Sequence, residues 1–172
     1  AFLVCTEERA RDLGLPFVRI LSTIERHNAF MDDPIQYRGG WVVDLDDLYG
    51  LADVKPADID LVQTYDDYPV ISLMQIEDLG FCAKGEAAAF VRERDLTFRG
   101  DFPHNTSGGQ LSIGQAGAAG GYLGLVEAMR QLCGLAGANQ VKDAKVALIS
   151  GFGMINYDRG LASAAALLAR AS

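Results

Sequence analysis

The sequence predicts an α/β domain in which helices cover a mixed β-sheet. Strand-like and helix-like segments alternate along the 172 residues, and 49% of the residues are apolar. A chain of this length buries roughly two-thirds of the surface that its unfolded form exposes. The alternation and the apolar content together favour one domain built from layers of helix and sheet.

The first elements are a strand, a short helix and a second strand. Residues 1–5 (AFLVC) form an apolar run that predicts a strand. Thr6 is suited to cap a helix over residues 7–13, which has acidic side chains in its first turn and Gly14 at its end. Residues 17–24 are rich in branched apolar side chains and predict the second strand.

The middle of the chain alternates in the same way. Residues 27–40 show no period and predict a loop or flap. A turn at Pro56 precedes an apolar run, and Pro69 and Gly80 suit the two ends of a helix. The segments in chain order are a helix over 41–51, a buried strand over 59–64, a helix over 70–79 and a helix over 86–94.

The last third ends in a segment that two arguments interpret differently. A helix over residues 118–132 and a strand over residues 146–150 come first. The alanines and leucines of residues 161–171 favour a helix by propensity. A strand buried on both faces of a sheet, however, need not alternate between apolar and polar residues. The family resemblance described below implies that this segment is the last strand of a central sheet, so we predict a strand over 161–171.

Charge and composition exclude several classes of protein. The net charge of -8 and the scattered basic residues argue against a nucleic-acid surface. The apolar runs are short and interrupted by glycine, so we expect no membrane span. The three cysteines are widely spaced and form no zinc motif with a histidine, which favours free thiols and no metal. We expect a soluble cytoplasmic protein.

A glycine-rich segment precedes one of the predicted helices. Residues 105–121 read NTSGGQLSIGQAGAAGG and include Gly108, Gly109 and Gly114. Glycines before a helix let backbone N–H groups approach a ligand, and the helix N-terminus favours negative charge. The alternative is that these glycines only permit tight packing. No Lys-Ser or Lys-Thr pair follows, so the segment is not a nucleotide-binding P-loop.

Three blocks of sequence resemble the sterol-carrier-protein-type thiolases, in the same order as in that family. Residues 62–82 (VQTYDDYPVISLMQIEDLGFC) resemble the segment with a histidine-aspartate-x-phenylalanine motif. Residues 105–121 resemble the asparagine-x-serine-glycine-glycine loop and the glycine-histidine-proline loop after it. Residues 137–153 resemble the strand that leads to the second catalytic loop. The chain thus looks like the C-terminal half of a thiolase-superfamily subunit.

The resemblance implies a fold and a division of the chain. It implies an αβα domain whose mixed, five-stranded sheet lies between helices. Residues 1–14 would end the N-terminal half of such a subunit, and residues 15–172 would form its C-terminal domain. The family also implies a homodimer and an active site between the two halves, so we expect residues 1–172 alone to be inactive.

The catalytic side chains of the family are replaced in this sequence. The motif histidine matches Tyr65, and the histidine of the glycine-histidine-proline step matches Gln115. The acid/base cysteine matches Gly153, with Tyr157 a few residues further on. The family places its acylated cysteine in the N-terminal half, outside these residues. The usual thiolase acid and base are therefore absent at the positions that match them.

Tyrosine chemistry can replace the missing groups. A phenol can donate a proton, or accept one if its pKa falls from about 10. We predict Tyr65 and Tyr157 as the proton-transfer residues and Gln115 as a hydrogen-bond donor to the thioester oxygen. The alternative is that these tyrosines only pack and hydrogen-bond. The predicted substrate-binding residues are Asn105, Gly108, Gly109, Gly114 and Gly153.

The predicted activity is carbon–carbon bond chemistry on an acyl-CoA. The substitutions resemble those of the lipid-transfer-protein-type aldolases of bacterial steroid side-chain degradation. That resemblance implies a coenzyme A thioester as substrate, no bound cofactor and a small OB-fold partner protein. Two alternatives stay open, namely a thiolase-type acyltransferase whose nucleophilic cysteine lies in the N-terminal half, and a non-catalytic lipid-binding subunit.

Overall fold

The protein is built around one mixed sheet that has helices on both faces. A computed structural model describes residues 2–115, 117–156 and 159–171. Short 3-10 turns cover Gly40–Val42, Pro56–Asp58, Gly117–Gly121 and Gly137–Asn139. The helices and strands in chain order are α1 (Glu7–Leu13), β1 (Val18–His27), α2 (Leu45–Ala52), β2 (Leu61–Gln63), α3 (Pro69–Asp78), α4 (Ala87–Glu93), α5 (Gly109–Ile113), α6 (Tyr122–Leu132), β3 (Val146–Asn156) and β4 (Arg159–Arg170).

The sheet has the strand order β1-β4-β3-β2. β3 and β4 form a long antiparallel hairpin, and β1 pairs antiparallel with the outer side of β4. β2 pairs parallel with β3 through Leu61, Val62 and Gln63. The hairpin is therefore the centre of the sheet, and the short β2 places the start of α3 beside it.

The two faces of the sheet bury two separate hydrophobic clusters. Leu148 of β3 and Leu167 of β4 pack with Trp41, α2 and α3 on one face. Ala147 and Leu168, the next residues along the same strands, pack with α6 on the other face. Neighbouring side chains of a strand point to opposite faces. Burial on both faces explains why residues 164–169 of β4 form a continuous apolar run, and the predicted strand at the C-terminus is confirmed.

Helices α1 and α3 begin at the residues that the sequence predicts as their starts. Thr6 caps α1, because its side-chain oxygen accepts a hydrogen bond from the Arg9 N–H, and Gly14 ends that helix with φ 62°. Pro69 occupies the first turn of α3. The longest helix, α6, has 11 residues, and no helix in the described ranges is long and apolar enough to cross a membrane.

The predicted number of five strands is wrong, because the described residues form a four-stranded sheet. Residues 2–5 of the predicted first strand are not in a strand, and Ala1 lies outside the described residues. Leu3 and Val4 are 72% and 81% exposed, so this apolar run has no sheet edge to pair with in the described part of the chain. An apolar pattern is therefore not sufficient for a strand, because a strand also needs a neighbouring strand to pair with.

Among the described residues, one further pairing lies at the edge of the sheet beyond β2. His104 forms a single parallel bridge with Val62, where the Pro103 carbonyl and the Asn105 N–H bond to Val62 at 2.9 and 3.0 Å. Asn105 has φ 44°, so the chain leaves the extended conformation there. The left-handed backbone at residue 105 thus ends the pairing after one residue.

Other element boundaries differ from the prediction near glycines. The helix predicted from residue 41 begins at Leu45, because Gly40–Val42 forms a 3-10 turn first. The helix predicted from residue 118 begins at Tyr122, after the Gly117–Gly121 turn. The strand predicted over 146–150 continues to Asn156, since its glycines pair with β4 rather than forming a loop.

Gly160 allows the closest approach within the hairpin, and its substitution should destabilise the fold. A Cβ at residue 160 would lie 2.2 Å from the ring of Phe152, which stacks on the buried Trp41 at 5.9 Å. We expect Gly160→Ala to lower the free energy of unfolding by about 2 kcal/mol, as overpacking does. Gly151→Ala is the control, because a Cβ there meets no atom within 4 Å. Equal urea midpoints for the two variants would contradict this packing.

Candidate functional site

A cavity lies on the α6 face of the sheet, beside the first turn of that helix. Its volume is about 480 Å³. Small side chains of the hairpin form its floor, since Gly151, Ala164 and Ala166 alternate with the residues buried on the opposite face. Tyr65 and Gln110 contribute polar groups to its wall. The cavity is thus an apolar cleft with few polar groups, which is the usual composition of a small-molecule site.

Tyr65 lies two residues after the end of β2 and lines this cavity. The Gln115 side-chain N–H donates a hydrogen bond to the Tyr65 hydroxyl oxygen. Burial raises the pKa of Tyr65, and the nearby charge of Asp67 raises it further, while the Gln115 hydrogen bond lowers it. The phenol therefore keeps its proton at neutral pH, and the structure brings together two of the three predicted catalytic residues.

Gln75 fixes the backbone of Tyr65. Its side-chain oxygen accepts from the Tyr65 N–H at 3.1 Å, and its side-chain nitrogen donates to the Tyr65 carbonyl at 2.7 Å. Gln75 is fully buried, and its oxygen also accepts from the Ser150 hydroxyl of β3 at 2.5 Å. At the point where β2 ends, the Gln75 amide thus makes the backbone hydrogen bonds that a neighbouring strand would make. It links Tyr65 to both α3 and β3.

A buried polar chain lies behind Tyr65. The Thr64 hydroxyl is 2.7 Å from the His104 Nε2 and 2.8 Å from the Ser72 hydroxyl. The His104 ring stacks on Phe102 with 6.3 Å between ring centroids. Burial lowers the pKa of His104 to about 4, with the charge of Asp66 opposing the shift. His104 is consequently neutral at physiological pH and serves as a hydrogen-bonding residue.

Asp66 joins the glycine-rich loop to the end of β2. Its carboxylate is buried and accepts a hydrogen bond from the Gln110 N–H at 2.7 Å. A Cβ at Gly109 would lie 1.9 Å from this carboxylate, and Gly109 has φ 63°. Only glycine therefore allows the start of α5 to approach Asp66 so closely.

The other predicted residues of this loop have backbone contacts or unusual backbone angles. The Asn105 side-chain oxygen accepts from the Thr64 N–H at 2.9 Å. Gly108 and Gly114 flank α5 with φ values of 96° and 101°, which glycine adopts readily. These features explain why the loop needs these residue types. The roles of Asn105, Gly108, Gly109 and Gly114 in binding substrate remain predictions.

The region of the predicted second catalytic loop, around Gly153, is largely part of the β3–β4 hairpin. Gly153 lies within β3 and pairs with Ala162 of β4, and a Cβ there would meet no atom within 4 Å. The β3 glycine that lines the cavity is Gly151, two positions earlier. Tyr157, the other predicted catalytic tyrosine, lies outside the described residues. The proposed roles of Gly153 and Tyr157 therefore remain predictions.

Three polar residues of the site carried no clear signal in the sequence. Gln75 occupies one position of the mostly apolar helix segment PVISLMQI, and an amide in such a segment is the indication of its role. His104 was a lone histidine without a partner nearby in sequence. Gln110 follows two glycines, and its sequence position alone indicates no role. Their partners come from distant parts of the chain, which the fold brings together.

The mixed sheet with helices on both faces is the architecture of a thiolase-type C-terminal domain. Residues 46–163 match the Thiolase C-terminal domain-like family. The chain belongs to this family, which confirms the resemblance seen in the sequence.

Named relatives and a solved structure agree with this assignment. The steroid side-chain-cleaving aldolase of Thermomonospora curvata is 32% identical over 157 residues, which are 87% of this chain and 39% of that protein. The 17-hydroxy-3-oxo-4-pregnene-20-carboxyl-CoA lyase of Mycobacterium tuberculosis is 40% identical over 87 residues, which are 51% of this chain and 22% of the lyase. The solved Ltp2-ChsH2(DUF35) aldolase has 28% identity and a TM-score of 0.79, covering 95% of this chain and 42% of its own. This chain thus spans less than half the length of these relatives.

Removal of the Gln75 amide should destabilise the protein. In Gln75→Leu the N–H and carbonyl of Tyr65 and the Ser150 hydroxyl lose their partner. We expect the free energy of unfolding to fall by about 2–4 kcal/mol, because buried polar groups would stay unpaired. Met74→Leu, a volume-conserving change on the same helix, should cost less than about 1.5 kcal/mol in the same urea titration. Similar losses for both variants would contradict the role of Gln75.

The buried His104 should make stability depend on pH. Its folded pKa of about 4 lies below the ordinary 6.5, so between these values the unfolded chain binds a proton that the folded chain does not. The stability is therefore full above pH 6.5, and about 3 kcal/mol is lost as the pH falls towards 4. We expect His104→Gln to flatten this part of the curve, measured by urea unfolding at several pH values. Parallel curves for the two proteins would contradict the assignment.

Proposed function

We propose that this chain is the C-terminal part of an acyl-CoA enzyme that cleaves a carbon–carbon bond by a retro-aldol step. The observation that carries the proposal is the protonated phenol of Tyr65 in an apolar cavity, with its hydroxyl oxygen bonded by Gln115. The names of two relatives, an aldolase and a carboxyl-CoA lyase, support the same class of reaction. The substrate class is a lipid or steroid β-hydroxyacyl-CoA.

In this proposal Tyr65 acts as the proton donor. A base removes the proton of the β-hydroxyl group, the bond between the α- and β-carbons breaks, and the β-carbon becomes a ketone. The electron pair of that bond passes to the α-carbon as a thioester enolate. Tyr65 then gives its proton to the enolate, and a shorter acyl-CoA results. A raised pKa favours the donor role over the base role for Tyr65, so we assign the base role to Tyr157.

Gln115 supports the anionic forms in this scheme. Its N–H donates to the Tyr65 oxygen, and this contact favours the phenolate that remains after proton transfer. An amide carries two N–H donors, so the same group can also stabilise an enolate oxygen. Gln115 therefore retains the oxyanion role that the sequence predicts and gains a second one towards Tyr65.

The proposed assembly follows the same relatives. The name of the solved aldolase joins Ltp2 to a second component, ChsH2(DUF35), which supports a partner protein for this chain as well. We propose that this partner is a small OB-fold protein and that the complete protein is a cytoplasmic homodimer. The residues that complete the active site would come from the part of the relatives that residues 1–172 do not cover.

Substitution of Tyr65 tests the proposal. We expect Tyr65→Phe in the full-length protein with its partner to lower kcat for retro-aldol cleavage by about 10²–10⁴, the usual contribution of a general acid. The acid must be protonated, so the alkaline loss of wild-type activity due to this group should lie above pH of about 10. Tyr68→Phe is the matched control, because Tyr68 is 64% exposed. An unchanged rate in Tyr65→Phe would refute the assigned role.

A further inference from the structure

Gly151 leaves open space in the floor of the cavity. It lies in the middle of β3, lines the cavity together with Tyr65, and pairs with Ala164 of β4. Its φ lies outside the left-handed region, and a Cβ at this residue would meet no atom within 4 Å. Neither the backbone conformation nor the packing of the described residues therefore requires glycine at residue 151.

A second glycine of the cavity wall has a packing reason that Gly151 lacks. A Cβ at Gly124 of α6 would lie 3.2 Å from the Gln63 Cβ, so glycine there lets the helix approach β2. Glycine inside a strand weakens the strand, because it loses more backbone entropy on folding and has no side chain to pack. Such a glycine often marks a place that a ligand approaches closely. The open space at Gly151 therefore indicates a requirement of the ligand.

The surface around Gly151 is two strands wide and has little relief. Ala164 lies beside Gly151 on β4, Ala166 lies two residues further along β4, and all three residues line the cavity. The spacings of a sheet make this patch about 5 by 7 Å. None of the three residues has a side chain larger than a methyl group. A ring system can contact such a patch over a whole face, whereas a linear acyl chain contacts it along one line.

The charge beside this patch indicates which part of an acyl-CoA enters the cavity. Glu25 of β1 pairs with Ala164, and it is the one charged residue among the described residues that line the cavity. The phosphate groups of coenzyme A are anionic, so a carboxylate repels them. An apolar acyl group is not repelled, and its burial against glycine and alanine is favourable. The cavity therefore suits the acyl group better than the nucleotide end.

We propose that Gly151 is a specificity-determining residue that leaves room for a ring system in the acyl group of the substrate. The ring system lies against Gly151, Ala164 and Ala166, in the cavity that Tyr65 also lines. This inference rests on the proposed function only in requiring an acyl-CoA ligand. A methyl group at residue 151 would take part of the space that a ring system needs, whereas an acetyl group is too small to need it.

Two ligands without a β-hydroxyl group test the proposal by binding to the full-length protein, since neither can undergo retro-aldol cleavage. They are acetyl-CoA and the CoA thioester of cholanic acid, whose acyl group carries a fused ring system. We expect Gly151→Ala to weaken binding of the ring ligand about tenfold in calorimetric titrations, as overpacking by one methyl group does. The affinity for acetyl-CoA should not change. Gly50→Ala is the matched control, because a Cβ at Gly50 of α2, on the other face of the sheet, also meets no atom within 4 Å.

An unchanged affinity of Gly151→Ala for the ring ligand, or an equal loss for both ligands, would overturn the proposal. A clear fall in the free energy of unfolding of Gly151→Ala without ligand would also overturn it, because a segment of the protein would then fill the space. Ala164→Val gives an independent check and should show the same selective loss. A selective loss in a protein without retro-aldol turnover would refute the proposed function and leave this inference standing.

Discussion

Burial of the β3–β4 hairpin on both faces is the constraint on which the rest of the structure depends. Leu148 and Leu167 face one cluster, and their neighbours Ala147 and Leu168 face the other. Helices must cover both faces for this sheet to be stable, because apolar surface on either side would otherwise meet water. Towards its other end the hairpin carries small residues on the α6 face, and the cavity forms there.

The same constraint explains the polar side chains around Tyr65. β2 contributes only three residues to the sheet, so the backbone beyond it needs other hydrogen-bond partners in a buried place. Gln75 pairs with the Tyr65 backbone, and Asn105 accepts from the Thr64 N–H. Amide side chains thus supply the hydrogen bonds of the backbone beyond the end of the strand. This is how a loop residue such as Tyr65 acquires a fixed position at the cavity.

Two of the predicted catalytic residues lie together in the described part of the chain. Tyr65 and Gln115, which the sequence resemblance matches to two histidines of the family, contact each other through one hydrogen bond. The pKa of Tyr65 is raised because burial and nearby carboxylates outweigh the Gln115 contact. A site of this kind keeps a neutral phenol in a largely apolar cavity.

The sequence by itself determined the α/β class, the family and the caps of α1, because these follow from local periodicity and from motifs. The catalytic roles of Tyr65 and Gln115 stay predictions. The tertiary structure decided what depends on distant partners. It left residues 2–5 without a sheet edge, continued β3 through the glycines of the predicted loop, and brought Gln75 and His104 behind Tyr65. A strand or a buried amide is stable only when another segment supplies its hydrogen bonds, and local sequence does not specify that segment.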